Sequence, residues 1–544
     1  MEIKILPHGF YFVYLHSRNR NIIINNQLSN NMKKCLFCIA IALFVLSCQR
    51  EELIPLPNKS STSTESGITL GAQLQNAYTV NNIRIAYRQV YPGTTEQEIA
   101  AITATHLYLR VWVNDSISVR LITEDTSIDA FPYPLDRELI GRGEYHPPLL
   151  ERNFIYVVVP VGWPMFHMLN CTVLDSCFIP DEEDDKMVPV EQRALMNAGF
   201  SLVEEGTRVS GKPSGTISVW NTSSSSSEGV KGVKVVMNTL VRIKHEYTDN
   251  SGHYSCGIKF YTNVNYTLSF ENRDFYRIWK DNLCYLPATM GLGVHHPNGY
   301  SYTMNTNSNG WQLSTIHNAA YIYYHTLFNV FHINMPPKNL RIWYIPIDIN
   351  WGGSTPMWRH QIFDDMTFAQ YMQLIPHTYG LILYAHVLPD MFLFEHNNTK
   401  SFYRTIFHEL SHASHYVLAG KNYWKRYVEN ICSNLGYGNG TNHSEYIGVG
   451  EMWANYSEYR MVNYYWNTAY SIFPSLNIVP QSNEWYRPDI LDSVVTTIPE
   501  VTFDTIFHCL TPTDSNFIEL KKEIKLRTSR DYHPRIDSLF APII

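Results

Sequence analysis

One stretch constrains the fold of this chain more than any other: residues 398–420, with the sequence NTKSFYRTIFHELSHASHYVLAG. Asn398 or Thr399 can cap the start of a helix here, and Gly420 can end it. Apolar side chains recur at helical spacing and give this helix a face to bury: Phe402, Ile406, Leu410, Ala413 and Val417. The stretch therefore predicts an amphipathic helix that packs against the core.

The same helix carries the pattern HExxH, formed by His408, Glu409 and His412. Residues four apart on a helix point to the same side, so both imidazole rings can face one zinc ion. Glu409 lies beside them, where its carboxylate can take a proton from the attacking water. The alternative is a core helix with two hydrogen-bonded histidines and a surface glutamate.

A third metal ligand has to come from outside this pattern. No aspartate occurs between His412 and Asp489, and the carboxylates in that interval are Glu429, Glu445, Glu451, Glu458 and Glu484. Glu451 stands at the start of a predicted helix, where the helix dipole alone favours a negative charge. Glu429 is the second candidate for the third ligand, and His415 and His443 are weaker alternatives.

Glu451 lies in the hexapeptide GEMWAN at 450–455, which resembles the GExxAD signature of neprilysin-like gluzincins, a group of zinc metallopeptidases. The resemblance implies that His408, His412 and Glu451 bind Zn²⁺ and that Glu409 is the catalytic base. Its two short motifs cover only a small part of the C-terminal region.

Position 455 departs from this signature, because the chain has Asn455 where the family has aspartate. The amide oxygen can still accept from the ring N–H of a zinc-bound histidine, but without a charge, so the zinc affinity is expected to be lower. Glu458 lies on the same helical face and can take the same supporting role. The family also implies a tyrosine or histidine that stabilises the oxyanion. The candidates are Tyr456, Tyr459, Tyr464 and His443.

Composition limits the class of partner. Charged residues make up 17% of the 544 residues and aromatic residues 14%, with 37 tyrosines, a balance typical of extracytoplasmic β-rich proteins. The net charge is −7, and no basic patch or nucleic-acid-binding motif occurs. We therefore expect no nucleic-acid partner, whereas the resemblance to zinc metallopeptidases implies a protein or peptide substrate.

The N-terminal region contains a predicted export signal. Residues 32–34 (MKK) precede an apolar run from Cys35 to Cys48 that is too short to span a membrane. The run ends in VLSC, which resembles a bacterial lipobox with Cys48 as the lipidated residue, so residues 32–48 are interpreted as a lipoprotein signal peptide. Residues 1–31 are then a start-site artefact. The alternative is that they are genuine and that the apolar run is a buried helix.

The residues after Cys48 also bear on localisation. The sequence QREE at 49–52 resembles the acidic export tag of some Gram-negative surface lipoproteins. We therefore expect a protein at the bacterial outer membrane or cell surface that contacts the membrane through its lipid anchor only. Residues 49–67 are rich in serine, threonine and proline and form a linker.

The rest of the chain predicts a multidomain protein: two N-terminal β-rich domains followed by an α+β zincin-like metallopeptidase domain. The first β-rich domain covers residues 68–211. Its predicted strands lie at 82–87, 106–113, 118–123 and 154–161, and its predicted helix at 190–202.

The second β-rich domain covers residues 212–272, where closely spaced strand-like runs predict a small β-sandwich. These runs lie at 216–220, 230–237, 241–247, 254–260 and 265–270. The segments 213–215 (PSG), 230–235 (VKGVKV) and 248–254 (TDNSGHY) resemble carboxypeptidase-regulatory-like domains. The resemblance implies an accessory or spacer domain.

Residues 273–544 hold the candidate chemistry. A helix is predicted at 313–331, strands at 340–349 and 379–386, a loop at 351–357, and a second helix after the HExxH helix at 450–466. This order is expected of the N-terminal subdomain of a zincin, in which an edge strand holds a peptide by β-augmentation. The apolar runs near the C-terminus predict helices that pack against the site.

Six cysteines follow Cys48: Cys171, Cys177, Cys256, Cys284, Cys432 and Cys509. None of them forms a CxxC or another metal-binding spacing. In an oxidising compartment some can pair, and Cys171 and Cys177 are the nearest in sequence. Free buried thiols fit the sequence equally well.

Together these features predict a zinc-dependent metallopeptidase, a lipid-anchored hydrolase of peptide bonds at the cell surface. The alternative is a surface lipoprotein that binds a glycan or a host protein and carries a weakly active or inactive zincin domain. The intact set of His408, Glu409, His412 and a downstream carboxylate favours the enzyme. Whether cleavage is internal or terminal stays open.

Overall fold

The computed structural model describes residues 3–5, 11–13, 67–113, 116–181, 184–203, 210–273, 275–280, 286–308, 310–347, 352–360, 389–434, 444–470, 485–513 and 516–544. Within these residues the protein is multidomain, with β-sheets in the N-terminal and central parts and a helical C-terminal region. The predicted signal peptide, Cys48 and the strand predicted at 379–386 lie outside the described residues. Among the described residues, no helix is both long and apolar enough to cross a membrane.

The N-terminal part is built from short strands and helices. Its strands are β1 (Ile3–Ile5), β2 (Tyr11–Val13), β3 (Gly67–Gln73), β4 (His106–Trp112), β5 (Ala130–Phe131), β6 (Arg137–Arg142), β7 (Phe154–Pro160) and β8 (Cys171–Cys177). Its helices are α1 (Val80–Val90), α2 (Glu96–Ala101), α3 (Ser116–Glu124) and α4 (Val188–Asn197), with 3₁₀ turns at Leu149–Glu151 and Phe166–Met168. Strand β1 pairs with β2 and β3 with β6, and a larger antiparallel sheet has the order β5-β7-β4-β8.

The strand predicted at 82–87 is wrong, because these residues belong to α1. Ile83, Ala86 and Tyr87 are buried at helical spacing, and the Thr79 side chain caps the helix by accepting from a backbone N–H of the first turn. Over six residues, alternating and helical patterns share most of their apolar positions. The Thr79 cap, which marks the start of the helix, lies outside the predicted run.

The strand predicted at 118–123 is also wrong. These residues belong to α3, in which Ser118 and Ile122 are one helical turn apart and both buried. The other predicted elements of this part are present, because 106–113 corresponds to β4, 154–161 to β7 and 190–202 to α4.

Cys171 and Cys177 lie at opposite ends of the edge strand β8. Six residues of extended chain span about 20 Å, whereas a disulfide needs Cα atoms within about 7 Å. A bond between these two cysteines is therefore ruled out, and both are free thiols. Of the two alternatives that the sequence leaves open for this pair, free thiols are correct because a strand keeps the two cysteines apart.

The central part forms two four-stranded sheets. The strands of this stretch of chain are β9 (Ser214–Asn221), β10 (Ser226–Gly229), β11 (Lys234–Thr239), β12 (Arg242–Tyr247), β13 (His253–Ser255), β14 (Val264–Ser269), β15 (Glu271–Asn272), β16 (Tyr276–Lys280), β17 (Thr289–His295) and β18 (Tyr302–Met304). Of these, β15 and β16 belong to the sheet of the C-terminal part. One sheet has the order β10-β9-β13 with β18 also on β9, and the other has the order β12-β11-β14-β17. Both sheets include strands that follow residue 272.

The strand β11 is buried on both faces because it separates two cores. Val235 and Met237 point into the core of the sandwich, whereas Val236 belongs to the apolar cluster of the N-terminal part. Successive side chains of a strand point to opposite faces, so this alternation follows directly from the extended backbone. The sheet that contains β11 therefore joins the two β-rich parts.

The C-terminal part contains a mixed five-stranded sheet and a set of helices. The remaining strands are β19 (Leu340–Ile345), β20 (Gly353–Ser354) and β21 (Met391–Phe394), and the sheet has the order β15-β16-β19-β21-β20. Strands β16, β19 and β21 are parallel, whereas β20 pairs antiparallel with β21 at the edge. The short strand β20 lies in the segment that was predicted as a loop.

The helices of this part begin with α5 (Gly310–Ile322), which continues through a π-helical turn (Tyr323–Leu327) and a last turn at Phe328–Val330. The others are α6 (Thr399–Asn434), α7 (Ser444–Tyr470), α8 (Asp489–Thr497), α9 (Phe503–His508), α10 (Phe517–Leu526) and α11 (His533–Phe540), with 3₁₀ turns at Arg530–Tyr532 and Ala541–Ile543. The HExxH helix is the first segment of α6. Its predicted end, Gly420, is a kink with φ 81° and ψ 169°, beyond which the chain is helical again.

The sandwich is attached to the helix that carries HExxH. One apolar core runs without interruption from the sandwich strands to the C-terminal helices. At the start of α6, Thr222 and Thr399 each accept a hydrogen bond from the backbone N–H of the other, at 2.9 Å in both directions. The sandwich therefore supplies part of the N-terminal cap of the helix that carries the candidate site.

Candidate metal centre

His408 and His412 lie one turn apart on α6 and point to the same side. Their Nε2 atoms are 3.1 Å apart, and their ring centroids are 4.7 Å apart at an interplanar angle of 81°. Residues i and i+4 of a helix are neighbours on its surface, so the spacing in the sequence produces this convergence. Both imidazoles are almost fully buried.

Glu451 completes the group from the neighbouring helix α7. One of its carboxylate oxygens is 3.5 Å from His408 Nε2, and the other is 3.3 Å from His412 Nε2. Each of the three residues offers one ligand atom, and these atoms lie within 4.8 Å of one another. The packing of α7 against α6 thus brings together the three residues proposed as metal ligands.

The donor set fits a divalent transition metal. Two imidazole nitrogens and one carboxylate face each other in a buried space, and the one described contact of Glu451 Oε2 is a long one, 3.5 Å from His408 Nε2. A buried anionic oxygen is costly unless it is hydrogen-bonded or bound to a cation. This buried His/His/Glu group could therefore hold a metal ion.

The charges of the group depend on one another. Burial alone would lower the pKa of His408, but hydrogen bonds to Glu451 and Glu458 outweigh it and raise this pKa to about 10. Burial alone would raise the pKa of Glu451, but both histidines outweigh it and hold that pKa far below its usual range. A metal ion bound here would take the place of the proton, since an imidazole must be neutral to be a ligand.

His408 is also held from its other ring nitrogen. Its Nδ1 is 3.2 Å from Glu458 Oε2, and the second oxygen of Glu458 accepts hydrogen bonds from Arg404 at 2.6 and 3.2 Å. A carboxylate on the far nitrogen fixes the tautomer and orientation of a ligand histidine and makes it more basic. Glu458 follows Glu451 by two helical turns, so both face α6.

Asn455, the other residue suggested for this supporting role, has a different described contact. Its side-chain amide donates to the backbone carbonyl of Glu451 at 2.9 Å, within the same helix. Glu458 contacts His408 instead. The described contact on the far nitrogen of His408 therefore comes from Glu458, one turn further along α7 than Asn455.

Glu409 is fully buried beside the two histidines. Burial raises the pKa of its carboxyl to about 7, although His408 and the hydroxyl of Thr355 act in the opposite direction. One oxygen, Oε2, accepts a 2.7 Å hydrogen bond from Thr355, and the other, Oε1, has no partner among the described residues. A carboxylate with a pKa near neutrality suits proton transfer at physiological pH.

Sequence reasoning missed Tyr427, whose hydroxyl donates a 2.6 Å hydrogen bond to Glu451 Oε1. Tyr427 lies beyond the kink at Gly420, and its ring is 5.8 Å from the ring of His412. Trp424, one turn before it, stacks on Tyr427 at 4.7 Å. In the sequence, Trp424 and Tyr427 stand out only by their three-residue spacing. Buried residues of any helix have this spacing, so it does not mark Tyr427 as part of a site.

The tyrosines suggested as oxyanion donors lie elsewhere. Tyr456 stacks on Phe503, Tyr459 lies under the guanidinium of Arg404, and Tyr464 contacts Phe331. His443 is outside the described residues. Tyr427 is therefore the tyrosine whose described contacts reach the His/His/Glu group.

The alternatives for the third ligand are placed away from the group. Glu429 is on an exposed face of α6, 4.0 Å from Lys425. His415 is buried against the rings of Tyr423 and Trp424, and burial lowers its pKa to about 3. Neither belongs to the cluster of three ligand atoms.

Comparison with models of protein families, with curated proteins and with solved structures gave no match to this chain. The chemistry of the site therefore has to be inferred from its own residues and their geometry.

Proposed function

We propose that this protein is a zinc-dependent metallopeptidase of the gluzincin type. The observation that carries the proposal is a fully buried glutamate, Glu409, beside a buried His/His/Glu group. His408, His412 and Glu451 would hold Zn²⁺. When bound, zinc would polarise the scissile carbonyl and lower the pKa of water.

In this proposal Glu409 moves the proton. It takes a proton from the water molecule that attacks the scissile carbonyl carbon, and it returns that proton to the amine nitrogen as the C–N bond breaks. Two features support this role: its oxygen Oε1 has no partner among the described residues, and its side chain is buried beside the His/His/Glu group. The water supplies OH to the new carboxyl and H to the new amine.

Tyr427 donates its hydroxyl proton to Glu451 Oε1 and thereby helps to orient a proposed ligand of the metal. One further element supports a peptide substrate. Among the described strands, β20 lies at an edge of the five-stranded sheet, close to Glu409. An edge strand can bind an extended peptide through its backbone, which is the arrangement that the resemblance to zincins implies.

The place of action is proposed from the sequence alone. The lipobox-like end of the apolar run makes Cys48 the lipidated residue, and the acidic residues after it favour the bacterial outer membrane or cell surface. A peptidase with its lipid at Cys48 would act on proteins or peptides outside the cell.

The burial of the site favours a second candidate function. His408, Glu409, His412 and Glu451 are each at most 1% exposed, so a peptide reaches them only after the site opens. If it does not open, the β-rich parts of this lipoprotein would bind a surface glycan or a host protein, and the zincin-like part would be a weakly active or inactive platform. Turnover of a peptide mixture by the zinc-loaded parent distinguishes the two.

The test of the proposal is Glu409→Gln in the full chain after signal removal. We expect about one zinc per molecule by mass spectrometry, as in the parent, and a loss of peptide hydrolysis of about a hundredfold or more, because the base and not a ligand is removed. Glu429→Gln, an exposed change on the same helix, is the matched control and should retain both. Undiminished hydrolysis by zinc-loaded Glu409→Gln would contradict the proposal.

A further inference from the structure

We propose that Thr355 is a positioning residue of this site: its hydroxyl holds one oxygen of Glu409 and leaves the other free to accept a proton. This inference rests on the proposed function. It concerns a residue outside the HExxH helix to which no motif points.

The contact is short and fully enclosed. Thr355 Oγ1 is 2.7 Å from Glu409 Oε2 and 3.0 Å from the backbone carbonyl of Glu409. Thr355 is 4% exposed and Glu409 is 0% exposed, so water does not compete for the carboxylate from the Thr355 side. A hydroxyl has one proton, and the shorter distance and the charge favour the carboxylate as its acceptor.

The backbone around Thr355 is fixed on both sides. Before it, β20 pairs with β21 through Gly353 and Ser354. After it, the carbonyl of Thr355 accepts a 3.1 Å hydrogen bond from the indole N–H of Trp424. The hydroxyl is therefore presented by a rigid backbone, which is what a positioning contact requires.

Gly353 gives the carboxylate the space it occupies. A Cβ atom at Gly353 would lie 2.9 Å from Glu409 Cγ and 3.0 Å from Glu409 Oε1. A side chain there would thus push against the free oxygen. Because Gly353 has no side chain, Glu409 can pack closely against β20. Its Oε2 then accepts from Thr355, and its Oε1 lies next to Gly353.

The consequence for the reaction is geometric. A carboxylate on a flexible side chain loses efficiency when its position varies, and a displacement of about 1 Å can cost about a hundredfold in rate. Thr355 limits this freedom, and its described hydrogen bonds are with Glu409 and Trp424 and with none of the proposed metal ligands. We therefore expect its loss to lower kcat and to leave zinc binding and KM nearly unchanged.

The experiment compares Thr355→Val, Thr355→Ala and Thr355→Ser with the parent, all zinc-loaded. Crystal structures report the rotamer of Glu409, and a quenched-peptide mixture reports kcat and KM. We expect Val and Ala to release Glu409 from its rotamer and to lower kcat between about tenfold and about a hundredfold, with KM within about twofold. Serine, which keeps the hydroxyl, should restore both the rotamer and kcat.

Thr405→Val is the matched control. Thr405 is a buried threonine one turn before Glu409 on α6, and its described side-chain contact is with His396. This variant should leave the Glu409 rotamer and kcat unchanged. The inference is overturned if Val and Ala keep the parent rotamer or the parent kcat. If the parent hydrolyses no peptide, the proposed function fails, and the Glu409 rotamer alone still decides the role of Thr355.

Discussion

At the scale of single residues, His408 connects the candidate site to the rest of the protein. Its Nε2 faces Glu451 and His412, and its Nδ1 faces Glu458. Glu458 in turn forms a salt bridge with Arg404. Each of these buried charged groups therefore has an opposite charge beside it. Such pairing offsets the cost of burying charges, which would otherwise be several kcal/mol for each ion.

The contact between Glu458 and His408 predicts that Glu458 controls the zinc affinity. Glu458→Gln removes the charge next to His408 Nδ1, and we expect zinc to bind about tenfold to about a hundredfold more weakly. The measurement is competition with a chelator of known affinity, on protein shown to be folded by circular dichroism. Asn455→Ala is the control, because the described hydrogen bond of Asn455 stays within its own helix. Equal affinities for the two variants would rule out this role.

The sequence predicts only part of the site at this scale. His408, Glu409 and His412 are found because four-residue spacing on one helix has a local pattern, and Glu451 because it lies in a recognisable hexapeptide. Thr355 has no such pattern, since its place beside Glu409 depends on how β20 pairs in the sheet. A contact set by sheet pairing leaves no periodic signal in the chain.

At the scale of elements, the kink at Gly420 shapes the site. A φ of 81° with a ψ of 169° is a region of the backbone that glycine almost alone occupies. One residue in that conformation turns the helix so that Trp424 and Tyr427 lie against His412. The sequence predicts the glycine as a helix end, but it does not show that a second helical segment returns over the first.

The same limit applies to the short elements of the N-terminal part. The HExxH helix has several turns of regular apolar spacing and is predicted well, whereas the runs at 82–87 and 118–123 are too short to separate strand from helix. Their conformation follows from neighbouring groups such as the Thr79 cap. Long periodic segments are therefore predictable, and short ones are decided by their surroundings.

At the scale of the whole molecule, a buried ionic network joins the N-terminal part to the sandwich. Lys234 on β11 is 2.7 Å from Asp129 and 3.1 Å from Glu271, and Glu271 also contacts Arg277 at 3.3 Å. His245 is 2.8 Å from Asp129. The network joins residues on both sides of the domain boundary that the sequence predicts at residue 212, since Asp129 precedes it and Lys234 and His245 follow it. The contact forms because one face of the sheet that contains β11 packs on the N-terminal part.

The network predicts how stability changes with pH. Burial alone would raise the pKa of Asp129 and of Glu271, but Lys234, together with His245 for Asp129 and Arg277 for Glu271, outweighs it and both pKa values are lowered. A carboxyl with a lowered pKa in the folded state stabilises the fold above its unfolded pKa of about 4, and this stabilisation is lost as the pH falls further. We therefore expect Asp129→Asn to be less stable than the parent at pH 7, with a difference that shrinks towards pH 3.

Urea midpoints measured from pH 3 to pH 7 check this prediction. Asp537→Asn is the control, because Asp537 is half-exposed and pairs with lysines at the surface. Surface pairs contribute little, so its midpoint should stay close to that of the parent. A constant difference between Asp129→Asn and the parent over the whole pH range would contradict the prediction.

The central claim is that His408, His412 and Glu451 hold zinc, and the most direct test is the position of the metal. Anomalous diffraction at the zinc absorption edge, on crystals of the zinc-loaded chain, measures that position. We predict one peak within about 2.3 Å of Nε2 of both histidines and of a carboxylate oxygen of Glu451. A peak coordinated by Glu429 in place of Glu451, or no peak at this group, would contradict the account.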